Sequence, residues 1–530
     1  MARTAVLALA FMALMAPAQG SAQTLPVVVV PGFTVDDLEA VQERGAIGLL
    51  NPGAGPETSA ELALASLVRG EVRNSLRGGP PEGEPLIDVS VLADRMPPFL
   101  VPAIYVGLPE GGLQPNDQRY PILVRGPGYE GLLTSESTRI PGLVSIVDVA
   151  PTALGEEDAL GSEPAGDAVA ELRDLDARIQ ANNDVRLPAT ILVCALVLLL
   201  AFVAPAAAVP GFSAALLANL ALGLAGVSGF WTVLVVLGLA AAVGGPLVAR
   251  FVRPPLALGL FLAGVVAAYL VALGIDGSSV ALSPFGPTQN SRYFGLSNLL
   301  ETMLLVPALA GAALLNAALG RAAFAGTALV AFVTVAGNRF GADGGGAIVL
   351  AAGFAVLAVL LAGGGRRALA LAVGASLVLA LGLIGLDAAT GGSSHVTSAL
   401  EDGPVGLGGD LVERVELSWE RATSSVWVGL AVLVLLAAFA FLVVRILRRP
   451  EPLADLAVPL SLAAAIAVSM VVNDSPTDVL LVGTTGLAAA AAGMLRGPWP
   501  ASQRSFSLSP LSSSSQDAAV PRTPRPRPRP

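Results

Sequence analysis

Arg292, Asn298 and Glu301 stand close together in the run NSRYFGLSNLLE, at the head of a long apolar stretch. A guanidinium binds phosphate or carboxylate through two parallel hydrogen bonds. Asn298 and Glu301 lie three apart, so both can face one side of a helix. Three other polar runs interrupt apolar sequence in the same half of the chain. They are Asn338-Arg339 and Asp343 in GNRFGADGGG, His395 in GGSSHVT, and Asn473-Asp474 in NDSPTD. The glycines after Asp343 can present backbone N–H groups to an anion at a helix start. Carboxyls and an imidazole beside such anion ligands can move protons during a group transfer. Glu301, Asp343, Asp474 and His395 are therefore the candidate acids or bases. Arg292, Asn298, Asn338, Arg339 and Asn473 are the candidate substrate ligands.

Each residue also has a plainer reading. Arg292 and Glu301 can form an ion pair that locks a helix end, and Asp343 can be a helix N-cap. A lone histidine in a loop is more often a surface residue than a catalyst. Asn473, Asp474 and Asp478 can simply cap the last apolar span. Cys194 is the only cysteine and His395 the only histidine. That excludes a disulfide framework and any Cys- or His-rich metal site, so neither metal nor cofactor is expected.

These residues must be positioned by membrane spans. The chain is 54% hydrophobic and 13% charged, well outside the soluble norm. Eleven apolar runs are expected to cross a bilayer: 188–209, 211–229, 230–249, 255–274, 297–316, 322–337, 346–362, 367–386, 424–444, 453–472 and 477–495. Most approach the ~20 residues needed to cross the hydrocarbon core. Their connections alternate. Arg250/Arg253, Arg321, Arg366/Arg367, Arg445/Arg448/Arg449 and Arg496 fall on one side, and the four polar runs on the other. The positive-inside rule makes the arginine side cytoplasmic and the polar side external. Span interiors are almost free of charge, which favours a site at the outer ends of the spans over a proton-driven pump.

The N-terminal part reads as soluble. Residues 1–22 resemble a secretory signal peptide, with Arg3 before an apolar run and small residues at 20–22. Residues 24–155 are expected to form an extracytoplasmic α/β domain with a mostly parallel sheet. Its strands are expected at Leu25–Val30, Ile104–Val106 and Ile122–Val124, and its helices at 36–44 and 60–76. Residues 156–187 read as a stalk helix capped by Asp167, with Val169, Leu172, Leu175 and Ile179 on one face. Between residues 24 and 187 there are 25 acids and 11 arginines, so the external part is acidic. Leu411, Val412, Val415 and Trp419 share a helical face in the long loop 387–423, an expected interfacial helix. The Ser-, Pro- and Arg-rich residues 496–530 read as a disordered cytoplasmic tail.

Two stretches resemble the alkaline phosphatase/sulfatase superfamily. LPVVVVPGFTVDDL is similar to its first strand and turn. Asp148, Ala150, Pro151, Thr152 and Leu154 match its late D-x-APT-x-L run. The chain departs where that superfamily holds metal: Pro31 follows the first strand, Asn116-Asp117-Gln118 replaces an Asp-His pair, and residues 24–187 contain no histidine. The resemblance therefore implies a degenerate, non-catalytic copy of the fold. The membrane half resembles bacterial polytopic proteins fused to such domains. The match lies in Arg292-Tyr293-Phe294-Gly295-Leu296-Ser297-Asn298 with Glu301, in Gly341-Ala342-Asp343-Gly344-Gly345, and in Asn473-Asp474-Ser475. That likeness carries no activity with it.

The expectation is a plasma-membrane protein with an outward-facing polar site. The site would bind or transfer an anionic or lipid-linked cell-envelope precursor. The alternatives are a transporter or flippase of such a precursor, or an envelope scaffold with a pseudo-phosphatase domain. Membrane lipid and a lipid-linked glycan or other anionic precursor are the expected partners, and nucleic acid is not.

Overall fold

The computed structural model describes residues 24–92, 101–156, 160–288, 293–337, 340–341, 344–364, 367–368 and 415–496. Arg292, Asn338, Arg339, Asp343 and His395 lie outside the described residues. So do the signal segment, nearly all of the eighth expected span, Leu411, Val412 and the tail from 497.

The N-terminal domain is built on a mixed sheet. Its strands are β1 (Val27–Val29), β2 (Ala46–Asn51), β4 (Val89–Val91), β5 (Ala103–Val106), β7 (Tyr120–Arg125), β8 (Gly131–Ser135), β9 (Leu143–Ser145) and β10 (Leu160–Glu163), and they run in the order β10-β8-β2-β7-β5-β1-β4, with β9 beside β2. A separate pair joins β3 (Glu57–Thr58) to β6 (Gln114–Pro115). Successive side chains of a strand point to opposite faces, and the sheet is covered on both. Ile47, Leu49, Tyr105 and Leu123 enter one core, while Ala46, Leu50, Ile104, Ile122 and Val124 enter the other.

The expectation of a mostly parallel sheet needs correction. β1 is parallel to β4 and β5, and β2 to β8 and β9, but β7 lies antiparallel between β5 and β2. A parallel return is usually made through a covering helix, whereas the segment from β5 to β7 holds no helix, only β6. The helix expected at 36–44 is two 3-10 turns, Val35–Ala40 and Gln42–Arg44, divided at buried Val41. The helix expected at 60–76 is α1 (Ala60–Arg69), which stops because Gly70 turns left-handed (φ 64°). A short α2 (Val149–Leu154) ends the same way at Gly155.

Stalk and first span form one helix, α3 (Ala168–Val203), 36 residues long, with Asp167 accepting from Ala170 N at 3.1 Å as its cap. It breaks at Ala204, ahead of the span boundary expected near 209. The residue before a proline avoids the helical region, and proline suits the first helical position. Pro205 accordingly opens α4 (Pro205–Leu224), while Pro210 lies inside it.

The bundle continues with α5 (Phe230–Phe251), α6 (Pro255–Ile275), α7 (Gly277–Ala281), α8 (Asn298–Leu319), α9 (Arg321–Ala336) and α10 (Gly344–Leu361). Residues 415–423 form α11, followed by α12 (Val426–Leu447), α13 (Ala457–Val472) and α14 (Pro476–Arg496). Seven of these helices are long and apolar enough to cross a membrane: α3, α4, α5, α6, α8, α12 and α14. α9, α10 and α13 are shorter apolar helices. Close approach uses small residues, as membrane helices do. A Cβ on Gly245 would lie 2.6 Å from Gly211 Cα and 2.7 Å from Ala207 O.

The N-terminal domain sits on one end of this bundle. Arg178 on α3 donates to Gly223 O at 2.6 Å, and Asn182 donates to Leu282 O at 2.8 Å. Phe33, Leu38 and Tyr105 of the domain share a core with Leu172 and Ile179 of α3 and with Ala281, Leu282 and Tyr293 of the bundle. α8 runs through the middle, and its residues Leu299–Leu315 are all buried. Trp231 and Trp427 begin α5 and α12 near the domain, both more than two-thirds exposed.

Candidate functional site

The N-terminus of α8 is fixed by its own cap and from two outside directions. Ser297 caps it, accepting from Leu300 N at 3.1 Å and donating to Phe285 O at 2.7 Å. Gly295, left-handed at φ 77°, packs so tightly on the 340–341 turn that a Cβ would collide with Gly341 O. Leu296 N donates to that same carbonyl at 3.2 Å. This frame directs the first turn of α8 toward the connection between α13 and α14.

Glu301, in that first turn, has no exposed surface. Asn473, where α13 ends, donates from Nδ2 to Glu301 Oε2 at 3.2 Å and to Ser469 Oγ at 2.8 Å. Across from it, the start of α10 comes close enough that a Cβ on Gly346 would lie 2.9 Å from the Glu301 carboxyl carbon and 3.2 Å from Oε1. A glycine is what admits the carboxyl there.

A second tier lies nearer the domain. Asn298 donates from Nδ2 to Asp474 Oδ1 at 2.9 Å and to Ser475 Oγ at 3.3 Å. Arg421 of α11 pairs with Asp474 Oδ2 at 3.1 Å and donates to Ser475 Oγ at 3.0 Å. Ser418 of the same helix donates to Asn473 O at 2.7 Å. Asp474 and Arg421 keep 27% and 21% of their side chains exposed, so this tier meets solvent while Glu301 does not.

Of the candidate residues, the structure brings Asn298, Glu301, Asn473 and Asp474 together. Asn298 and Glu301 do share one helix face. Asp478 does not join them: it pairs with Arg186 of α3 at 3.9 Å. Reading the sequence missed Arg421, Ser418 and Gly346. Arg421 carried a usable signal, being an arginine on the polar side of the alternation.

In the N-terminal domain, Asn116, which stands where the resembled superfamily has an Asp-His pair, and Asp148 of the late run both have structural partners. Asn116 is buried and donates to Gly53 O and Gly55 O, both at 3.0 Å. Asp148 accepts from the hydroxyls of Ser135 and Ser137 and from Ser145 N, which joins β8, β9 and the start of α2. Burial pushes its carboxyl above the ordinary carboxylate range, opposed by those hydrogen bonds. Among the described residues, no three His, Cys, Asp or Glu side chains gather closely enough to hold a metal ion.

A cleft of about 340 Å³ lies between the domain and α3, lined by Asp117, Gln118, Arg119, Asp176 and Gln180. Arg119 pairs with Asp176, donates to Asp117 O at 3.0 Å, and hydrogen-bonds the Tyr293 hydroxyl. Arg139 lies over the Phe294 ring, 4.4 Å from its centroid. Searches of protein-family models, curated proteins and solved structures find no match to this chain.

Proposed function

We propose that this multi-pass membrane protein binds the anionic group of a lipid-linked cell-envelope precursor at the outer face of the plasma membrane. In this reading the N-terminal domain is extracytoplasmic and the tail cytoplasmic. The observation that carries it is the convergence around Glu301. Asn473 at the end of α13 and Gly346 of α10, distant in sequence from α8, meet the Glu301 carboxyl, which has no exposed surface, and Ser418 of α11 holds Asn473 from behind through its carbonyl. A charged group in a membrane helix costs about 2.5–3.5 kcal/mol on insertion scales. Retaining one amid apolar spans is the mark of a site more often than of a brace.

The tiers divide the work. Arg421 presents a guanidinium that can exchange Asp474 for a phosphate, since both anions fit the same fork. Asn298 and Ser475 complete that cradle. Glu301 lies beneath as the group that would take or give a proton if transfer follows binding. The arginine-rich connections at the other end of the bundle favour the outward orientation. The domain supports a binding role more than hydrolysis, because Asn116 is committed to two carbonyls.

The test is capture. Full-length protein extracted in native lipid would be compared with Arg421→Ala and Glu301→Gln by mass spectrometry of the co-purifying lipids. The expected result is an anionic lipid-linked species enriched over bulk membrane with the native chain and depleted at least tenfold with Arg421→Ala. Equal lipid profiles for all three proteins would end this reading.

A further inference from the structure

We infer that the N-terminal domain positions the outer polar cluster, with Arg119 and Arg139 as the positioning residues. Tyr293 and Phe294 are consecutive, and each is gripped by a different arginine of the domain. Arg119, on the lead-in to β7, is nearly buried and joins the Tyr293 hydroxyl to Asp176 of α3. Arg139, between β8 and β9, lies on the Phe294 ring. Tyr293 itself is 2% exposed and packs into the domain's own core beside Phe33 and Tyr105.

Immediately after these two aromatics comes the chain that builds the cluster. Gly295 turns against Gly341, Leu296 is tied to the same carbonyl, and Ser297 caps α8. Asn298 follows directly and Glu301 one turn later. The domain thus holds the segment that leads directly into the site. A guanidinium over an aromatic ring and a buried, hydrogen-bonded arginine both stabilise the closed turn. The role depends on reading the cluster as a site only in its purpose, and its geometry can be tested without any ligand.

The experiment uses the full-length chain in detergent with one introduced thiol. Leu296 is 4% exposed, so Leu296→Cys places a reporter inside the turn. The native Cys194, 3% exposed on α3, reports whether the bundle as a whole opens. Maleimide labelling of each thiol would be followed by peptide mass spectrometry. Arg119→Ala combined with Arg139→Ala should raise labelling at position 296 about tenfold, the change that ~1.4 kcal/mol of local stability produces. Labelling at Cys194 should stay unchanged. Arg139→Lys, which keeps a cation over the ring, should restore part of the protection. Unchanged labelling at 296 would mean that the domain merely rests on the bundle. A parallel rise at Cys194 would mean that the arginines hold the global fold. Either result overturns the inference, and neither depends on whether the cluster binds a lipid-linked anion.

Discussion

Two buried carboxyls, Asp148 in the N-terminal domain and Glu301 in the bundle, are satisfied in different ways. Around the first, the partners lie close in the chain. Asp148 is met by Ser135, Ser137 and Ser145, and Thr152 donates back to Asp148 O at 2.6 Å. In the bundle the partners lie far apart in the chain. Glu301 is reached by Asn473 and Asn298 by Asp474. The satisfaction there is also incomplete, since Asn473 Oδ1 has no hydrogen-bond partner among the described residues. A fully satisfied local network stabilises one conformation. A long-range network with an unpaired acceptor determines its conformation less completely. The contrast predicts which substitutions change stability and which change binding.

The largest effect should come from the frame that aims α8. Gly295→Ala must place a side chain in a left-handed conformation and against the Gly341 carbonyl. The conformation alone costs of order 1–3 kcal/mol, and the clash adds to it. We expect a fall of several degrees in the thermal midpoint in detergent, together with loss of the lipid enrichment described above. A near-native midpoint would show that the turn is softer than its geometry implies.

Asp148 comes next and should behave as a purely structural group. Asp148→Ala leaves two hydroxyls and one amide without their acceptor, at about 1–3 kcal/mol, and should leave lipid capture intact. Its pH dependence has a definite sign. The folded carboxyl is held above its unfolded value. The stability it contributes is therefore fully present below the unfolded value and is lost as pH rises through the folded one. Asp148→Asn cannot titrate, so the midpoint of that variant should vary less across mildly acidic pH. Midpoints measured for both proteins over that range, running parallel, would remove Asp148 from the account.

Glu301→Gln should invert the pattern. The amide keeps an oxygen for Asn473 and nearly the same shape, so stability should move by less than about 1 kcal/mol. Transfer or transport should nevertheless collapse, because an amide cannot exchange the proton. Unaltered envelope composition in cells carrying only this variant would reduce the buried tier to a structural brace.

Parts of this contrast were legible in the sequence, and the reasons are local. Val27–Val29, Ala103–Val106 and Tyr120–Arg125 are rich in β-branched residues and were placed within a residue or two. β2 was missed because its first five residues, AIGLL, are all apolar and have no alternation that separates strand from buried helix. The strand directions could not be read either, since they depend on which strands meet. The composition shift near 187 resembled a boundary, yet the helix runs through it, because helical periodicity is indifferent to a change from water to lipid. In the bundle, Asn298, Glu301, Asn473 and Asp474 were conspicuous as polar residues among apolar ones. Gly346 was not, because its meaning lies in what approaches it. Arg421 was passed over because it sits among other polar residues of a long loop.

The smallest predicted effect decides to which half α11 belongs. Two contacts compete for it. Arg77 of the domain reaches Glu416 at 3.4 Å, but Glu416 is 63% exposed. Such pairs contribute about 0–1 kcal/mol and are screened by salt. On the other side, Ser418 makes a buried hydrogen bond to Asn473 O, and Arg421 holds both Asp474 and Ser475. If the bundle owns the helix, Arg77→Ala should change protease cleavage within 415–423 by no more than about twofold, with even that difference vanishing at high salt. Arg421→Ala should raise the same cleavage severalfold at any salt concentration, and with it the exposure of Asp474. The reverse ranking would attach α11 to the domain. The upper tier would then be assembled by the domain on one side and the bundle on the other, and the line between a locally satisfied half and a long-range one would run through the site itself.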